Sequence, residues 1–127
     1  MSDVVLAWDE GDEESESVGP SSEEVSACVQ ALDGASRTLV TIYRGEAHLA
    51  VGGGASSGMV VYCTSDNEVF WQLVGDPGAQ GVVVVTAGGQ EGVYEARFRV
   101  RVAAATEAAV EFLATGNRSE RVTWEQS

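Results

Sequence analysis

The sequence predicts an α+β fold: a curved antiparallel sheet of about five to seven strands with two helices packed on it. Three observations predict it. Two stretches, one near each end, carry apolar residues at helical spacing. Between them lie β-branched runs cut by short turns of Gly, Asp and Asn, and tight turns make antiparallel pairing the default. A last strand bearing Trp124 follows the second helix, which suits a helix laid on a sheet.

Residues 4–8 are short and apolar and form the first strand candidate. The chain then carries Asp9, Glu10, Asp12, Glu13, Glu14, Glu16, Glu23 and Glu24 with no base among them. Residues 9–20 have almost nothing to bury and their like charges repel, so a mobile acidic loop is expected there. Ser21 or Ser22 opens a helix, with Ser21 and Glu24 at capping-box spacing. Val25, Cys28, Val29 and Leu32 form its apolar stripe, and Gly34 ends it.

Beyond Arg37 the pattern becomes that of strands. Residues 38–43 and 46–51 read as a hairpin turning at Arg44-Gly45. Residues 52–58 read as a flexible loop. They lack the lysine of a phosphate-binding loop, and no helix pattern follows. Residues 59–64 read as a buried strand and Asp66-Asn67 as a turn. Residues 68–74 read as a strand with Phe70 and Trp71 on opposite faces. Gly75-Asp76-Pro77-Gly78 is a turn, and residues 81–86, with four consecutive valines, read as the central strand. Residues 93–102 alternate, with Arg97, Arg99 and Arg101 on one side. In the second helix Ala105, Ala109, Phe112 and Leu113 share a face, with Thr106 as N-cap and Gly116 as stop. Residues 121–124 read as the closing strand.

The 127 residues suffice for one domain with one core. Twenty acids against seven bases give a formal net charge of −13, which argues against nucleic acid and anionic membranes as partners. It favours a basic protein partner, with solubility alone as the other reading. Cys28 and Cys63 read as buried reduced thiols. The N-terminus lacks the basic region of a signal peptide, and no segment reaches the roughly 18 apolar residues of a membrane span, so a soluble cytoplasmic protein is expected.

No catalytic constellation emerges. His48 is the sole histidine and has no carboxylate or cysteine at a recognisable spacing. The two cysteines lack the spacing of a zinc pair, and the acidic stretch does not follow a calcium-loop pattern, so no metal or cofactor is expected. General acid–base chemistry needs a positioned carboxylate, which a mobile loop does not supply. Trp71 has two readings: an exposed interface residue beside Asp66 and Glu68, or cover for the sheet. The arginine row has two as well: an anion site, or pairing with carboxylates on a neighbouring strand.

The C-terminal half adds a resemblance. Gly75-Asp76-Pro77, the helix end from Glu111-Phe112 to Gly116, Arg118, and Trp124 at fixed spacing from Gly116 resemble the first-described family of immunity proteins from bacterial polymorphic toxin systems, common in actinobacteria. The resemblance covers about residues 59–125. Ser119 departs from it, standing where that family often has proline. It implies a non-enzymatic antidote that occludes a cognate toxin domain, often a nucleic-acid deaminase or nuclease. The expected contact residues are Asp9, Glu10, Asp12, Glu13, Glu14 and Glu16, with Asp66, Glu68 and Trp71. The alternative is a small ligand-binding or enzymatic domain with a pocket between sheet and helices, using His48 and the arginines.

Overall fold

The computed structural model describes residues 4–126. The elements are β1 (Val4–Glu10), β2 (Glu13–Val18), α1 (Ser22–Gln30), β3 (Leu39–Arg44), β4 (Ala47–Gly54) and β5 (Gly58–Thr64). They continue with β6 (Phe70–Leu73), β7 (Val82–Ala87), β8 (Gln90–Glu95), a 3-10 turn at Ala96–Phe98, α2 (Val102–Thr115) and β9 (Trp124–Gln126). Seven strands form one antiparallel sheet in the order β2-β1-β3-β4-β5-β6-β9, and β7 and β8 form a separate two-stranded ribbon. The expected α+β class holds, with both helices against one face of the large sheet.

That face carries the core. Leu6, Val40, Ile42, Leu49, Val51, Val61 and Cys63 point from it toward Val25 and Val29 of α1 and Ala105, Ala109 and Phe112 of α2, and all are buried. The Ser21 hydroxyl accepts from the Glu24 amide, so the predicted N-cap forms. Gly116 closes α2 in the left-handed region at φ 76°, also as predicted. Both cysteines are free thiols in this core, and burial pushes Cys63 up to about 11. Trp8 packs at the core's edge with its indole N–H buried and unpaired among the described residues.

Several expectations are corrected. The acidic stretch is not a loop: residues 9–18 finish β1, turn at Gly11 and return as β2, with Asp9 opposite Glu14 and Glu10 opposite Glu13. Serines 15 and 17 alternate with the acids, so one side of the strand faces α1 and the Ser17 hydroxyl donates to Glu24. Residues 52–58 are not a flexible loop either. Gly52–Gly54 continue β4, and only residues 55–57 turn. These glycines admit close neighbours: a Cβ on Gly52 would lie 2.5 Å from the Ala87 Cβ, and one on Gly54 would lie 2.6 Å from the Asp33 carbonyl carbon.

The valine strand is not central. β7 pairs only with β8, and the ribbon lies across the helix-free face of the large sheet near β4. Val83 and Val85 turn inward while Val82 and Val84 stay exposed. Residues 93–102 do not form one strand, because the 3-10 turn breaks the alternation and Val100 only bridges to Met59. Thr106 is not the α2 N-cap. Arg101 occupies that position, and the Thr106 hydroxyl donates back to the Val102 carbonyl. The closing strand begins at Trp124, not Arg121.

Candidate partner-binding face

The helix-free face is built by strand register. Directly paired residues of antiparallel strands point to the same side. One row therefore runs Val18, Val5, Tyr43, His48, Thr64, Phe70, and the next runs Glu16, Ala7, Thr41, Ala50, Tyr62, Gln72. Small residues occupy the middle of the second row and rings crowd the first.

Four rings meet there. His48 lies 5.8 Å from Tyr43, 5.7 Å from Tyr62 and 6.1 Å from Phe70, centroid to centroid. Tyr62 and Phe70 are 5.8 Å apart. Tyr43 and Tyr62 remain 44% and 38% exposed, so their rings are open to a visitor. Burial lowers the His48 pKa, which favours the neutral imidazole. Burial, then the neighbouring Tyr43 and Tyr94 phenols, raise that of Tyr62. A groove of about 700 Å³ runs over this cluster, lined by Tyr43, His48, Tyr62, Glu46, Asp66 and Glu68. A smaller one, about 230 Å³, continues from Tyr43 past Thr41 and Ala7 to Glu14. No arginine lines either groove.

The predicted contact residues divide into groups. Asp12, Glu13, Glu14 and Glu16 are exposed on the β1–β2 hairpin, and their side chains make no ion pair or hydrogen bond among the described residues. Register puts Glu14 and Glu16 on the aromatic face. Glu68 is exposed at the β5–β6 turn, on the groove's other side. Glu10 pairs with Arg37 at 3.4 Å. Asp9 is structural: its carboxylate accepts from the Thr38 amide and hydroxyl and from the Leu39 amide. Asp66 caps its own turn, accepting from the Val69 and Glu68 amides, and these bonds lower its pKa.

Trp71 is not beside Asp66 and Glu68. Phe70 takes the open face, and Trp71 turns to the other side of the sheet, where Arg118 stacks 3.8 Å from its ring centre. Trp71, Trp124, Arg118 and Arg121 line a hollow of about 760 Å³ beneath the C-terminal segment. The ligand-pocket alternative loses two of its proposed groups, His48 and Arg97. His48 faces away from the helices, and Arg97 is tied to Glu95 and Glu125, the carboxylate pairing anticipated for the row, which Arg99 and Arg101 do not make among the described residues. Among the described residues no three His, Cys, Asp or Glu side chains gather as metal ligands. No described helix is long and apolar enough to cross a membrane.

Sequence reasoning missed Tyr43, Tyr62 and Phe70. The alternation of Thr41 and Tyr43 against Val40 and Ile42 was visible, but the register that brings Tyr43 to His48 and Tyr62 is long-range.

Residues 13–126 match the family described as Immunity protein Imm1. The chain belongs to that family of immunity proteins. The Imm1 match begins at β2 and runs through β9, so the acidic edge strand, the four rings of the aromatic face and the closing strand all lie within it. The earlier resemblance, drawn from the C-terminal half, thus extends over nearly the whole chain. A search of curated proteins finds no match.

Proposed function

We propose that this Imm1 protein is a non-enzymatic antidote, acting in the bacterial cytoplasm, that binds a cognate toxin domain one to one and covers its active site. The toxin would be an enzyme acting on nucleic acid, a deaminase or a nuclease. The observation that carries this reading is the family membership joined to an unneutralised acidic surface. The net charge is −13, and Asp12, Glu13, Glu14, Glu16 and Glu68 are exposed without partners among the described residues. An enzyme that handles nucleic acid must tolerate phosphates with a cationic surface. An acidic protein is attracted to that surface and excludes the substrate from it.

The test is co-expression with the toxin domain encoded beside this chain. Survival of the host together with an equimolar co-purifying complex is the expected result. Continued killing, with this chain shown to be folded and present, would remove the antidote reading.

A further inference from the structure

We propose that the aromatic groove on the helix-free face seats an arginine-bearing segment of the toxin, with the guanidinium against Tyr43 and Tyr62 and between the acids of β2 and those of the β5–β6 turn. This rests on the antidote reading and names the contact that would carry it.

The groove is chemically one-sided. Its floor is Tyr43, His48 and Tyr62 with Phe70 beside them, and its rim holds Glu46, Asp66 and Glu68 at one end and Glu14 at the other. Glu16 stands in the same row as Tyr62. Five of the chain's seven arginines are held elsewhere, and Arg99 and Arg101 line neither groove. Arg37 is on Glu10, Arg44 on the Leu113 carbonyl, Arg97 on Glu95 and Glu125, Arg118 on Trp71, and Arg121 on Glu107 and Glu111. Aromatic faces attract a cation through their quadrupole. Carboxylates at the rim then select a cation over a neutral chain.

Arginine fits better than lysine. Its planar guanidinium stacks on rings and offers a fork of donors to carboxylates, whereas an ammonium is compact and more strongly hydrated. A second copy of this chain is a poor occupant, because it would bring a like net charge of −13 to an acidic rim.

The ribbon adds selectivity. Gly89 donates its amide to the Thr38 hydroxyl at 2.9 Å, which ties the ribbon's tip to the sheet beside the smaller groove. The ribbon walls one side of the face, so a segment must lie along the open rows and not across them.

The test measures affinity for the toxin domain by calorimetry for the wild-type chain and four variants. Tyr62→Phe keeps the ring and is expected to bind within about threefold of wild type, since a cation senses the ring face. Tyr43→Ala and Tyr62→Lys are expected to weaken binding about thirtyfold or more, the scale of an interfacial hot spot. Val84→Lys, on the exposed side of the ribbon, is expected to bind like wild type. Tyr43 is exposed enough that its truncation leaves the fold intact, so Tyr43→Ala decides the matter if Tyr62→Lys fails to fold. Wild-type affinity in a folded Tyr43→Ala would overturn the groove and leave the antidote reading standing. A wild-type chain that neither rescues nor binds would remove both.

Discussion

The Asp9 carboxylate accepts a hydrogen bond from the Thr38 amide at 2.7 Å and another from the Thr38 hydroxyl, joining β1 to the start of β3. The same hydroxyl accepts from the Gly89 amide. One acid thus fixes the point where the ribbon's tip meets the sheet. Asp9→Ala strands two partly buried amides and is expected to cost about 2 kcal/mol. Urea denaturation should show this, with faster hydrogen exchange at Gly89. An unchanged midpoint would mean that Asp9 is not structural.

The four unpaired hairpin acids should act on encounter more than on the bound state. Changing Asp12, Glu13, Glu14 and Glu16 to lysine is expected to slow association with the toxin about tenfold or more at low salt. The salt dependence should flatten with it. Stopped-flow association at two ionic strengths separates this from a change in dissociation.

Helix α1 was legible because its signals are local. Ser21, Glu24 and the stripe from Val25 to Val29 need no information from the rest of the chain. The acidic hairpin was illegible for the opposite reason. Charge suggested repulsion, yet Ser15 and Ser17 give β2 a side that meets α1, and β1 supplies the ladder. The four valines of β7 were misplaced because a strand apolar on both sides reads as buried on both. Here Val82 and Val84 are left open, as is Val93 opposite Val84 on β8. The aromatic face depends on the register of four strands, which a single sequence does not display.

Gly75 is the turn residue that packing constrains most tightly. A Cβ there would lie 2.1 Å from the Arg99 carbonyl oxygen, while the Gly75 amide donates to the Arg97 carbonyl at 2.8 Å. Backbone must move to admit any side chain. Gly75→Ala is expected to destabilise by about 3 kcal/mol, the upper part of the usual overpacking range. Thermal unfolding of that variant beside Gly78→Ala, where the nearest atom is 3.6 Å away, gives the contrast.

Asp33 supplies an acid-sensitive clasp after α1. Its carboxylate accepts from the amides of Arg37, Ala35 and Ser36, with the Arg37 amide the largest influence, and these bonds hold its pKa near 2, below the ordinary 3.8. A depressed folded pKa gives stability that is full above 3.8 and is lost as pH falls toward about 2. Asp33→Asn should lower stability at neutral pH and flatten its fall through that window. Acid titration followed by circular dichroism reads both effects.

The stack of Arg118 on Trp71 is a cation–π contact at a partly exposed site. Arg118→Ala is expected to cost about 1 kcal/mol, with Arg118→Lys recovering only part of it. Trp71 fluorescence reports the loss directly, since the indole then meets water. Toxin affinity should stay within a few-fold, because this contact lies on the helix side of the sheet.

The position of β2 at the margin of the sheet has a consequence for how the protein behaves in a crowd. An unpaired strand margin is a template for fibre growth, and here it displays Glu13, Glu14 and Glu16. Another copy approaching margin to margin would bring the same three carboxylates against them. The repulsion opposes self-polymerisation, so the acids that attract a cationic stranger also keep identical chains apart.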